Sequence, residues 1–219
     1  MHRPRVVKET RRAVEQREPP TRDRLRAHPW LSEESRAVFD AAVESEAPLE
    51  FYLSTSGDSK IREHAQAYAS RRLEVMGFLL GEVASWGGRQ YSVARDVVTT
   101  ELKSTISKVR FDPGAFPQLF HGLDGSGFDY VLVGWYHSHP GHTCFLSRTD
   151  LETQRSIFSQ SYHVALVVDP LNEEIKAFRL AGEGYEEVRF ALFDPSGYPP
   201  SNPRHVRQRR LRAPPAKGI

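Results

Sequence analysis

His137-Ser138-His139 directly follow Phe128–Tyr136, an apolar run that reads as a buried strand. In extended backbone, residues i and i+2 project to the same face, so the two imidazoles can converge on one ion. Pro140 cannot continue a ladder and turns the chain away. After a loop comes Ser147-Arg148-Thr149-Asp150 at a helix start, from which Asp150 can swing back as a third ligand. Two neutral imidazoles and one carboxylate leave a fourth tetrahedral corner for water, the ligand set of a catalytic rather than a structural zinc site. Each piece also has a plainer explanation. Ser147-x-x-Asp150 is a legitimate capping-box variant, with the Ser side chain bonding the N3 amide. The two explanations part over Asp150, because a cap leaves it in solvent and a metal site turns it inward. Glu74 taken alone is an ordinary carboxylate at the end of a charged helix.

The other candidate groups fall to structural roles. Cys144 is the single cysteine, so no intramolecular disulfide is possible, and a zinc ribbon or a zinc deaminase with its P-C-x-x-C pair is excluded. A small buried hydrophobe explains Cys144 better than thiol catalysis does. His64, His121, His142 and His163 have no ligand partner at useful spacing. His163 precedes a buried strand and is expected to be a hydrogen-bonded structural residue. His142 lies in the loop beside the candidate site and is a candidate substrate contact.

These residues need elements to hold them. Trp30–Ala47 carries helical periodicity with Ser32 as N-cap, and Pro48 ends it. Leu49–Ser54 alternates as a short strand, and residues 59–72 suggest a second helix with Ile61, Ala65 and Tyr68 on one face. Val75–Gly81 is a dense apolar run, hence a buried strand. Trp86-Gly87-Gly88-Arg89 turns it into a hairpin with Gln90–Thr99. A short helix is expected near Phe116–Leu123, a helix over Asp150–Gln160, a buried strand over His163–Val168, and two further strands over Glu174–Leu180 and Glu186–Leu192. Interspersed strands and helices define an α/β domain.

At 219 residues the chain has room for one such domain with extensions. Its net charge of +2 hides a partition. Residues 1–29 hold nine Lys/Arg against four Asp/Glu, and 203–219 hold six against none, leaving an acidic body. Ten of the 15 prolines fall within 1–29 and 194–219. Such ends read as solvated extensions. A nucleic-acid contact through them rests on charge alone, without a groove-reading motif or interleaved aromatics, and is not expected. No apolar run approaches the roughly 18–20 residues of a membrane span, and no secretory leader is visible, so a reducing cytoplasm is the expected location. The expected division is an N-terminal extension over 1–48, a catalytic domain over 49–193 and a basic tail over 194–219.

Taken together, the positions resemble a family pattern. Glu74 heads Val75–Gly81, and His137-x-His139 is followed after seven residues by Ser147-x-x-Asp150. This resembles the JAMM motif of the MPN-domain zinc metalloproteases. Gly134-Trp135-Tyr136-His137-Ser138-His139-Pro140-Gly141, Val167-Val168-Asp169-Pro170 and Ala177-Phe178-Arg179 are most similar to the proteasome-lid deubiquitinase and signalosome isopeptidase branch. The resemblance implies a mixed central β-sheet flanked by helices, and one catalytic Zn²⁺ on His137, His139 and Asp150. It further implies Glu74 as general base and acid and Ser147 as oxyanion donor. Phe145 stands where that branch usually has Trp, which marks it with His142 as a substrate contact. Residues 101–123 correspond to the family's first insertion, a flap over the substrate tail. The implied activity is cleavage after the C-terminal Gly of ubiquitin or a ubiquitin-like protein, with a homo- or heterodimer of MPN domains as a further partner. Two alternatives stand beside it: release of an amino acid from a sulfur-carrier protein, and a non-catalytic MPN scaffold.

Overall fold

In the computed structural model, the described residues are 14–45, 49–99 and 131–200. The helix expected near Phe116–Leu123, the flap over 101–123, residues 1–13 of the basic arm and most of the basic tail lie outside them. In chain order the elements are β1 (Glu15–Gln16), β2 (Leu25–Arg26), α1 (Glu33–Glu44), β3 (Phe51–Ser54) and α2 (Thr55–Ala69). There follow β4 (Met76–Trp86), β5 (Arg89–Thr99), β6 (Val131–Ser138), α3 (Arg148–Ile157), β7 (Val164–Asp169), β8 (Glu174–Ala181), β9 (Gly184–Val188) and β10 (Phe190–Phe193). They form one mixed sheet in the order β2-β10-β3-β5-β4-β6-β7-β8-β9, with β1 added parallel to β4.

The hairpin of β4 and β5 turns on Gly87 and Gly88, both with positive φ, the geometry a tight two-residue turn requires. Helix α2 starts earlier than its charge pattern suggests. The Ser54 hydroxyl accepts from the Gly57 amide and caps the helix directly at the end of β3. A Cβ at Gly57 would sit 2.9 Å from Ser54 Oγ, so the glycine belongs to the cap rather than to a loop.

Residues 14–29 depart from the expected solvated arm. β1 and β2 pair with the sheet, and His28 is fully buried. Its Nε2 lies 2.8 Å from Asp58 Oδ1 on α2, and its Nδ1 accepts from the Trp30 amide. Asp58 also receives Arg62 Nε at 3.0 Å. A charge run in sequence therefore conceals one buried imidazole that staples the segment down. The single strand expected over Glu186–Leu192 is two strands. Glu50 grips Arg189 between them, so β9 pairs with β8 while β10 crosses to lie parallel to β3.

One side of the sheet packs Ile61 and Ala65 of α2 against Leu79, Tyr136, Leu166 and Val168. The other packs Phe158, next to α3, against Met76, Phe78, Trp135 and Val167. Strand β6 carries a bulge at Val133–Gly134, where the register to β4 shifts. The bulge advances the alternation by one, so Val133 and Tyr136 share the α2 side while Trp135 goes to the α3 side. Gly134 is required there by close approach, since a Cβ would lie 2.0 Å from Val164 O.

Candidate metal centre

The strand period that follows the bulge carries His137 to the side of Trp135, and the two rings stack with centroids 4.5 Å apart and planes at 15°. His139 leaves the strand just beyond, with its ring 4.7 Å from that of His137. Its amide donates to Val168 O, so β7 holds the chain past the end of β6. Helix α3 begins opposite both rings. Asp150 Oδ2 stands 3.5 Å from His137 Nε2 and 3.7 Å from His139 Nε2, and the three prospective ligand atoms all lie within 4.8 Å of one another. Zinc bonds of about 2.0–2.1 Å put tetrahedral ligands roughly 3.3 Å apart. The imidazole-to-carboxylate separations are only slightly wider than that.

The chemistry of the cluster fits a divalent cation. Both ring nitrogens of His137 are buried without a hydrogen-bond partner among the described residues. Such a group is costly unless something completes it. His139 Nδ1 lies 3.2 Å from Thr143 O, so that nitrogen donates to the carbonyl and Nε2 is left with its lone pair toward Asp150. Burial pushes the Asp150 carboxyl up, but His137, His139 and Ser147 outweigh it and hold it far below the ordinary carboxylate range. It is an anion facing two imidazoles.

The choice between a cap and an inward-facing ligand is not exclusive. Ser147 Oγ accepts from the Asp150 amide at 3.2 Å, and Asp150 Oδ2 accepts from the Ser147 amide at 2.8 Å, a complete capping box. Asp150 is nonetheless buried. A carboxylate oxygen has lone pairs enough for an amide and an ion, so the cap aims the ligand. The Ser147 hydroxyl accepts in this box, which leaves its own hydrogen to donate.

Glu74 stands just before β4. Burial raises its carboxyl above the ordinary value, opposed by His139 and His137, reinforced by Asp150 and opposed again by His142. These are the charges of the cluster, so Glu74 shares its field. Ser138 faces away from the two imidazoles. Its hydroxyl accepts from the Val75 amide at 3.0 Å while its amide donates to Val75 O, clamping the backbone next to Glu74. Phe145 packs 4.8 Å from the His139 ring and is 40% exposed, and His142 is exposed in the same loop. Cys144 is buried with its thiol pushed up by burial, and His163 Nδ1 accepts from the Gln160 amide, both as expected of structural residues.

Sequence pattern did not single out Asp169. Its carboxylate accepts from the amides of Gly141, Thr143, Leu171 and Asn172 and from Asn172 Nδ2. One buried side chain thus holds the loop that places Thr143 O on His139. Thr143 has φ of 64°, in the left-handed region, which this cage sustains. Val167-Val168-Asp169-Pro170 was legible as part of a family pattern, but not the reach of the carboxylate to residues nearly thirty positions earlier.

Fold and site together define an α/β domain with an inward-facing His/His/Asp cluster suited to one divalent ion. The chain belongs to the family described as JAB1/Mov34/MPN/PAD-1 ubiquitin protease, which residues 50–161 match. It is 36% identical over 137 residues to the 26S proteasome non-ATPase regulatory subunit 14 of Dictyostelium discoideum, covering 61% of this chain and 43% of that one. It is 37% identical over 142 residues to the ubiquitin carboxyl-terminal hydrolase RPN11 of Saccharomyces cerevisiae, covering 61% and 44%. The COP9 signalosome complex subunit 5 of Debaryomyces hansenii is 31% identical over 163 residues, covering 68% and 33%. The chain therefore spans half or less of the length of these relatives. Among the described residues no helix is long and apolar enough to cross a membrane.

Proposed function

We propose that this protein is a zinc-dependent isopeptidase or peptidase that hydrolyses the bond after the C-terminal Gly of ubiquitin or a ubiquitin-like protein. The observation that carries the reading is the convergence of His137, His139 and Asp150, with both nitrogens of His137 lacking any other partner among the described residues. The similarity to a ubiquitin carboxyl-terminal hydrolase supports the substrate class.

His137, His139 and Asp150 would hold the ion. When bound, zinc supplies a Lewis acid and lowers the pKa of its water toward about 7. Glu74 takes a proton from the attacking water and delivers it to the leaving amine. A carboxyl raised by burial is a stronger proton acceptor than an ordinary one, and general base and acid catalysis of this kind is worth about 10²–10⁴ in rate. Ser147, with one lone pair engaged in the cap, donates its hydroxyl hydrogen to the developing oxyanion, a contact whose loss costs about 10²–10³ in kcat. Neither Ser147 nor the buried Cys144 is the nucleophile. Phe145 and His142 contact the substrate tail, and residues 49–193 constitute the catalytic unit, acting in a reducing cytoplasm.

The test is incubation of the full chain with a ubiquitin-like conjugate bearing a Gly-Gly–Lys isopeptide bond, with and without a chelator. Release of the free modifier only in the metal-replete sample is expected. Chelator-insensitive cleavage would overturn the metal role, and release of a free amino acid from a sulfur-carrier tail in place of the modifier would reassign the substrate.

A further inference from the structure

The two imidazoles are oriented by different means. Thr143 O holds His139 through its second nitrogen, the usual arrangement for a metal-binding histidine. Among the described residues His137 has no such bond. What defines its ring plane is the indole of Trp135, stacked at 4.5 Å, which is itself backed by Phe158 at 5.8 Å and 13°. The indole is not free to slide. Trp135 Nε1 donates to Gln154 Oε1 at 2.6 Å, and Gln154 Nε2 donates to Phe158 O and His163 O. Gln154 is completely buried and uses both ends of its amide.

Spacing gives this contact its consequence. Trp135 and His137 are two residues apart on a strand, about 6.6 Å along it. Gln154 and Asp150 are four apart on one face of α3, about 6 Å along the helix. Strand and helix therefore face each other with two rungs at nearly equal spacing along each: Trp135 to Gln154, and His137 to Asp150. Fixing the first rung fixes the separation and direction of the second.

We propose that Trp135 and Gln154 are a positioning pair for the metal centre, setting the plane of His137 and its distance from Asp150. The inference rests on the metal reading above and extends it to residues that touch no ligand. A purely structural amide would satisfy the indole N–H and two carbonyls and nothing more. A positioning pair also changes the ion's affinity and geometry.

The experiment compares full-length wild type, Trp135→Phe, Gln154→Leu and the double variant. Zinc affinity is read by competition with a chromophoric chelator, Co²⁺ substitution by its d–d absorption, and folding by near-UV circular dichroism and apo-protein melting. Trp135→Phe keeps an aromatic ring under His137 and removes the donor, so it tests the hydrogen bond even where Gln154→Leu folds poorly. The expected result is a loss of zinc affinity of about tenfold or more in each folded single variant, the lower part of the range for such supporting contacts. A shifted Co²⁺ band should accompany it, and the double variant should be no weaker than the worse single, as for residues acting as one unit. Zinc affinity within about twofold of wild type and an unchanged Co²⁺ band, with only the melting temperature lowered, would overturn the proposal and leave a structural pair. Failure of wild type itself to bind zinc would instead overturn the metal reading, and the pair's role with it.

Discussion

Two groups of charged side chains lie buried or half-buried along strand β4, and they are built on opposite plans. Toward its far end, Glu82 is held by Arg95 Nε at 2.5 Å and Arg17 Nη1 at 2.9 Å. Arg95 also donates to the carbonyls of Tyr198 and Pro199, and Arg17 to that of Pro199. The Tyr91 and Tyr198 hydroxyls donate to the backbone carbonyls of Arg17 and Glu18 and lie 3.2 Å from one another. Here the N-terminal segment, the hairpin and the residues after β10 are tied by groups that complete one another. At the other end, beyond Met76, the carboxylate and imidazoles lie close, yet His137 stays incomplete within the described residues. Burial of charge is common to both. A network that closes on itself holds the fold, and one that leaves a nitrogen without a partner among the described residues has room for a ligand from outside them.

That contrast can be broken by experiment. The largest effect is expected from His137→Ala, which should abolish stoichiometric zinc by elemental analysis and reduce isopeptide cleavage to background, while the clasp around Arg95 persists. Glu74→Gln should keep the ion and lower kcat by about 10²–10⁴, measured on the same conjugate. Retention of full activity would remove Glu74 from the proton path. At the other end, Arg95→Met should destabilise the fold by about 2–3 kcal/mol in urea titration, because it removes one cation from a half-buried carboxylate and leaves the Tyr198 and Pro199 carbonyls without their donor. Its zinc content should be unchanged, and metal loss there would show that the two ends are coupled.

The smallest effect is expected from Asp169→Asn, which sharpens the comparison because Asp169 is a closed network within the metal end. Burial raises its carboxyl, yet the amides of Gly141, Thr143, Asn172 and Leu171 prevail and hold it below the ordinary range. A depressed carboxyl stabilises the fold above its unfolded-state value, near 3.9, and loses that contribution as pH falls through the lower folded-state value. The variant should therefore be about 2 kcal/mol less stable at neutral pH, the scale of a hydrogen bond to a charged group. Its stability should fall less steeply than that of wild type on acidification below about pH 4, followed by equilibrium unfolding.

Much of the site was legible because its parts are local. His137-x-His139 needs only the strand period, and Ser147-x-x-Asp150 needs only the first turn of a helix. Glu74 was placed by resemblance to the JAMM pattern rather than by any property of its own neighbourhood. The hairpin was equally plain, since paired glycines between alternating runs dictate the turn. Helix α2 was harder, as Gly57-Asp58 reads as punctuation until Ser54 is seen to cap it. The basic segment before Pro29 misled because composition counts its arginines and gives no weight to His28.

The order of residue types along the chain determined which groups could bind an ion, and on which local element each would stand. Only the tertiary structure decided that Asp150 both caps α3 and faces the imidazoles, that Asp169 cages the loop behind His139, and that Gln154 locks the indole under His137. The last two contacts join residues 19 to 28 positions apart through side-chain hydrogen bonds, and the first brings Asp150 to imidazoles 11 and 13 positions earlier. No local periodicity encodes such pairs, because they exist only once the sheet's bulge and the helix's cap have fixed which faces meet.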